Sequence, residues 1–108
     1  MAAYLTVLTT TDSEESAREL ARLAVEARLA ACAQIEPPIT SVYHWQGEIH
    51  TDPEWRVLLK TTDVRYPALE ARLNEAHPYD VPEIIATAIE RGSDAYLHWL
   101  DEETDTRR

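Results

Sequence analysis

Seven residues, His77-Pro78-Tyr79-Asp80-Val81-Pro82-Glu83, bring an imidazole, a phenol and two carboxylates into one short stretch. Imidazole and carboxylate together suit zinc, copper(II) or manganese. His77, Asp80 and Glu83 are therefore metal candidates, with His44, His50 and Glu54 as neighbours. No two of these residues have a tight ligand spacing such as H-x-x-x-H. The structural alternative is that His77 finishes a helix, where a cation or donor is favoured. Cys32, the only cysteine, is the second candidate, because a thiolate is a soft donor that suits copper(I). Its alternative is burial as a small apolar residue between Ala31 and Ala33. Lys60, the only lysine, is the third. It would pair with Glu54 or Glu83, or hold an anionic ligand, unless it forms a structural ion pair or sits exposed on a sheet.

The elements that hold these groups follow from pattern. Two prolines four apart forbid helix across 78–82 and stiffen it as a connector. Before it, Leu69, Leu73 and Ala76 mark a helix that begins near Asp63, with Pro67 in its first turn. After it, Ile84 to Ile89 reads as a strand. Tyr4 to Thr10 is β-rich and reads as a buried central strand. Asp12, with Glu15 three residues later, has the spacing of a helix cap. Ala17, Leu20, Ala21, Ala24 and Ala27 then form a small-residue helical stripe. The acidic residues at this helix start argue against a phosphate site. A second strand runs from Ala30 to Trp45, interrupted by Pro37-Pro38. Thr51-Asp52-Pro53 is the expected hairpin turn, and Trp55 to Thr61 is the third strand. Ser93 to Leu100 forms a short closing helix, with residues 101–108 a frayed tail.

The order β-α-β-β-α-β plus a short helix matches a ferredoxin-like α+β sandwich, in one domain over residues 1–108. In that fold Thr11, His44, Trp45, His50, Glu54, His77, Tyr79, Asp80 and Glu83 gather at one end of the sheet. Cys32 falls at the other end, more than about 15 Å from His77 at ~3.3 Å per strand residue. A Cys32–His77 metal pair would therefore need two subunits.

Composition narrows the functions. Twenty carboxylates against ten basic groups give a formal net charge of −10. Such a surface repels phosphate backbones, so nucleic acid is not an expected partner. No run approaches a membrane span. The start has neither a basic nor an apolar leader region, so the expected location is cytoplasmic. With two glycines, no Ser/His/Asp order and no paired carboxylates with a clear partner, no enzyme is expected.

The chain resembles the divalent-cation tolerance (CutA) family along nearly its whole length. Arg28-Leu29-Ala30-Ala31-Cys32, Ser41-Val42-Tyr43-His44-Trp45-Gln46-Gly47, Lys60-Thr61, the His77–Glu83 stretch and Tyr96-Leu97-x-Trp99 are similar to its motifs, in order. Gln46 departs from the family, which usually has Glu there. The resemblance implies a ferredoxin-like homotrimer linked to tolerance of copper and other divalent metals, with no established catalysis. The metal expected first is copper, with zinc second, and Cys32, His77 and Glu83 are the candidate ligands. The family's architecture is similar to that of PII signalling proteins. This adds an alternative, a regulatory module binding a small ligand at subunit clefts lined by Trp45, Lys60 and Tyr79.

Overall fold

The computed structural model describes residues 3–106. Its elements in chain order are β1 (Tyr4–Thr11), α1 (Glu14–Glu26), β2 (Cys32–Ile35), β3 (Ile39–Trp45), β4 (Glu48–Thr62), α2 (Tyr66–Ala76), β5 (Ile84–Ala88) and α3 (Asp94–Glu103). The sheet runs β2-β4-β1-β5, antiparallel throughout, with β3 paired to the other half of β4. The fold is therefore α+β and ferredoxin-like, with the second strand split in two at Pro37-Pro38. A proline cannot donate to a ladder, so pairing stops at the pair and resumes at Ile39.

Strict alternation explains the core. Val7, Thr9, Val57, Leu59 and Thr61 are fully buried, while Leu8, Leu58 and Lys60 between them are not. The buried set meets Ala17, Leu20 and Ala24 of α1 and Leu69 and Leu73 of α2. The alanines of α1 let its backbone lie close on the sheet. Leu8, Leu58 and Ile85 sit side by side in register on the opposite face. At the far end of that face α3 is tied down by Tyr4, whose hydroxyl donates to Asp101 at 2.7 Å.

β4 is 15 residues long. At ~3.3 Å per residue it spans about 45–50 Å, the longest dimension of the molecule (45 Å). Its second half forms the sheet. Its first half pairs only with β3, as a two-stranded arm that reaches beyond the body.

Several local expectations shift. The hairpin turn is Gln46-Gly47, at φ 52° and 81°, and not Thr51-Asp52-Pro53. Two consecutive positive φ values suit a two-residue loop between twisted strands. Pro53 instead sits within β4 opposite Thr40, which an arm with a free edge tolerates. The cap of α1 is Ser13, not Asp12, and its hydroxyl accepts from the Ser16 N–H at 3.0 Å. The α2 helix starts at Tyr66, three residues after Asp63, with Pro67 in its first turn. The α3 helix continues to Glu103, with Thr104 buried behind it, so the chain stays ordered past residue 101. Arg107 and Arg108 of the expected frayed tail lie outside the described residues.

The end of α1 is closed by Arg28 at φ 58°. Its N–H bonds the Val25 carbonyl, and the Leu29 N–H bonds that of Ala24, both at 3.0 Å. This is the helix-ending pattern in which glycine is usual. Arg28 has another task here: its guanidinium donates to the carbonyls of Glu102 and Asp105, at 2.8 and 3.1 Å. It thereby fastens the end of α1 to the end of α3.

Candidate functional site

The stretch after α2 is held by its own histidine. His77 is buried, 8% exposed, at the C-cap of α2. Its Nε2 lies 2.9 Å from the Thr10 carbonyl, and its Nδ1 lies 3.1 Å from the Tyr79 N–H. A carbonyl can only accept and an amide N–H can only donate. The ring is therefore neutral, protonated on Nε2, with its single lone pair taken by Tyr79. Burial lowers the pKa of His77, and this outweighs the Thr10 carbonyl and the Asp12 and Glu54 carboxylates, which raise it. His77 ends the helix through its backbone N–H, which bonds the Leu73 carbonyl, while its neutral ring serves Thr10 and Tyr79 and not the helix's last carbonyls.

Pinned in this way, the loop turns Tyr79 toward the arm. The Tyr79 hydroxyl donates to the Glu54 carboxylate on β4 at 2.7 Å. Its pKa is raised, first by burial and then by that bond. Between the loop and β3 lies a cleft of about 710 Å³. Trp45, Tyr43 and His44 of β3, Glu54 of β4, and Tyr79, Asp80 and Glu83 of the loop all contribute to its walls. Of the nine residues placed at this end from sequence, His44, Trp45, Glu54, Tyr79, Asp80 and Glu83 line one cleft, and Thr11, His50 and His77 do not. Tyr43 is a wall that sequence reasoning did not single out. Its spacing of two from Trp45 was the available signal, since both then lie on one face of a strand. The Tyr43 hydroxyl donates to Asp52 at 2.6 Å, and its ring stacks on His50, with centroids 5.6 Å apart.

Lys60 is not part of this cleft within the protomer. It pairs with Cys32 and Thr6 in the sheet, and its Nζ donates to the Gln34 side chain at 2.8 Å. Six residues along β4 separate it from Glu54, about 20 Å at ~3.3 Å each. Cys32 is at the same distant end, half-buried, with its Sγ 3.5 Å from the Tyr96 hydroxyl.

The candidate metal ligands are thus apart. Cys32 lies at one end of the sheet, His77 has no free lone pair, and Glu83 is on the cleft wall. Among the described residues no three His, Cys, Asp or Glu side chains come together as a metal site. One protomer alone does not fit a metal at the expected residues. No described helix is long and apolar enough to cross a membrane.

Comparison with known proteins is consistent over nearly the whole chain. The profile of the family described as "CutA1 divalent ion tolerance protein" matches residues 5–103. The "Divalent-cation tolerance protein CutA" of Thermus thermophilus is 51% identical over 98 residues, covering 91% of this chain and 95% of that protein. Mouse "Protein CutA" is 43% identical over 97 residues, 90% of this chain and 55% of the longer mouse protein. Among solved structures, the Thermus thermophilus divalent cation tolerance protein (Cut A1) superposes with a TM-score of 0.91 at 49% identity, over 94% of this chain and 99% of that one. CutA from Xylella fastidiosa superposes with a TM-score of 0.93 at 38% identity, over 96% and 100%. One relative, from Arabidopsis thaliana, is named as chloroplastic, and a solved structure from Archaeoglobus fulgidus is named as periplasmic. By sequence and by fold, the chain belongs to the CutA1 divalent ion tolerance family.

Proposed function

We propose that this chain is a cytoplasmic, non-catalytic homotrimer serving divalent-cation tolerance, and that its working site is the cleft between the arm and the loop 77–83. The cleft carries the reading. It is concave, it is walled by large aromatic side chains with a few polar groups, and a clamped histidine preforms it. Those are the usual properties of a small-ligand site. Beside the cleft, the His77 nitrogens are both engaged, and within it the Tyr79 hydroxyl is given to Glu54.

Two uncovered surfaces support the trimer. The arm exposes Val42 and Ile49, at 67% and 68%. The sheet face opposite α1 and α2 presents the row Leu58–Leu8–Ile85, with Ile85 51% exposed. Apolar surface of this kind on a chain of 108 residues is what subunit contacts cover. Both surfaces are single and non-repeating, so a closed ring of copies would use each once per subunit.

Within the trimer reading, copper is the metal that the Cys32 thiol suits, and zinc is the metal for imidazole and carboxylate. Either would need donors from a second subunit. The regulatory alternative, a small ligand bound at subunit clefts as in PII-like modules, is favoured by the same cleft. Lys60 could join it only from a neighbouring subunit.

Light scattering on the purified chain, followed by thermal-shift screening against copper, zinc and small organic ions, tests the proposal. It expects a trimer at micromolar concentration and a melting shift that Trp45→Ala removes. A monomer, or a trimer that no metal or small ion stabilises, would overturn it.

A further inference from the structure

The polar groups of the cleft specify the charge of its ligand. Three carboxylates, Glu54, Asp80 and Glu83, stand in its walls, and no lysine or arginine does. The two phenols that could have donated to an anion are already committed, Tyr79 to Glu54 and Tyr43 to Asp52. The cleft therefore offers an incoming ligand three carboxylates and aromatic surface, with the His44 ring, the Trp45 indole N–H and the Thr10 and Ser41 hydroxyls as its other polar groups. A protein with a net charge of −10 also draws cations toward itself.

The same geometry separates one kind of cation from another. A metal ion needs several donors converging within about 2.0–2.6 Å of one point. The carboxylates here are spread around a cleft of about 710 Å³, and among the described residues they form no three-membered ligand group with each other or with histidine. An organic ammonium ion has the opposite requirement. Its charge is spread over a larger body, and it is stabilised by aromatic faces and by carboxylates a contact distance away. Trp45, Tyr43 and Tyr79 supply such surfaces on both sides of the cleft.

We propose that the cleft binds an organic ammonium ion, with Trp45 and Tyr79 packing on it and Glu83 and Asp80 balancing its charge. This inference rests on the cleft being the ligand site. It names a class of ligand opposite in sign to the one that Lys60 suggested.

Isothermal titration of the full chain at low salt and pH 7.5 tests it, with tetramethylammonium and 1,4-diaminobutane as probes. Glutarate serves as the dianion and zinc as the metal. Both ammonium probes are expected to bind and glutarate to fail. Glu83→Gln, a change at an exposed position, should weaken the ammonium probes and flatten their salt dependence. Trp45→Phe should weaken them by about two- to fivefold, the scale of one cation–aromatic contact. If glutarate or zinc binds in a Trp45-dependent way while neither ammonium ion does, the inference is overturned and the cleft remains the ligand site. If no probe binds, both fail. Ammonium binding that neither substitution changes would place the ion elsewhere and also overturn it.

Discussion

The Tyr79 hydroxyl donates to the Glu54 carboxylate at 2.7 Å, tying the loop after α2 to β4 where the strand leaves the sheet for the arm. Glu54 is the last residue of β4 that pairs with β3, opposite Ile39. Trp55 is the first that pairs with β1, opposite Thr11. One hydrogen bond thus links the sheet's end, the arm and the loop, and the cleft exists because these three are held together.

Tyr79→Phe removes that donor and leaves a partly buried carboxylate without it. Bonds to charged groups contribute about 1.5–3 kcal/mol, and solvent access at this position reduces the figure. A loss of about 1 kcal/mol is expected from urea denaturation at fixed protein concentration. Hydrogen exchange should rise in residues 78–83 before it rises in the core. Unchanged exchange there would mean that Pro78 and Pro82 hold the loop unaided.

His77 makes stability depend on pH in one direction. Burial lowers its folded pKa below the unfolded value of about 6.5. The unfolded chain therefore takes up the proton first, and the His77 contribution is full above about pH 6.5 and is lost as pH falls through the lower, folded value. Protonation at Nδ1 also breaks the bond from the Tyr79 N–H. Denaturation midpoints measured from pH 8 to pH 5 should fall for the wild type. They should fall less for His77→Gln, whose side chain does not titrate in this range.

The arm's turn is not fully matched to its backbone. Gln46 holds φ 52°, a conformation that asparagine adopts more readily. Gln46→Asn creates Asn-Gly, the preferred pair for this loop, and should stabilise by up to about 1 kcal/mol. Gly47→Ala meets no atom within 4 Å, so its cost comes from φ 81° alone, about 1 kcal/mol. Melting curves of the two variants should move in opposite directions.

Arg28 combines a strained backbone with a side-chain fastening. Arg28→Ala keeps the strain and loses both bonds to the end of α3, whereas Arg28→Gly loses the bonds but relieves the strain. The alanine variant should be less stable than the glycine variant by about 1 kcal/mol. Equal midpoints would show that the positive φ is not strained in this setting.

Much of the fold was legible in the sequence because alternation and helical spacing report burial directly. Val57 and Leu59 against Leu58 and Lys60 fix the faces of β4, and the Pro37-Pro38 pair marks the break between β2 and β3. The hairpin turn was misplaced because Thr51-Asp52-Pro53 has stronger local turn chemistry than Gln46-Gly47. What decided it was the register of β3 on β4, a pairing that local propensity does not encode. The cap of α1 shifted by one residue for a similar reason, since Asp12 and Ser13 can both cap and only the final geometry selects Ser13. At the site, topology brought His44, Trp45, Glu54, Tyr79, Asp80 and Glu83 to one end. It could not show that the Thr10 carbonyl and the Tyr79 N–H would use both nitrogens of His77, because that depends on a backbone group 67 residues away. Lys60 stands out in the sequence as the one lysine, but its position along a 15-residue strand separates it from the cleft.

The subunit contacts give a further test. Val42→Glu and Ile49→Glu each place a charge on the exposed apolar arm, and a desolvated unpaired charge is strongly unfavourable. Either change should shift the chain toward monomer in light scattering while leaving its circular dichroism intact. A trimer that tolerates both would move the contact from the arm to the Leu58–Leu8–Ile85 face.

Native mass spectrometry reads assembly and ligand stoichiometry in one experiment, and it bears most directly on the proposal of a trimeric binding module. The chain at micromolar concentration should appear at three times the mass of its 108 residues. With 1,4-diaminobutane, copper or zinc added in turn, at least one should add as up to three equivalents, and Trp45→Ala should abolish that adduct while keeping the trimer. A monomer, or a trimer whose adducts are the same with and without Trp45, would contradict the account.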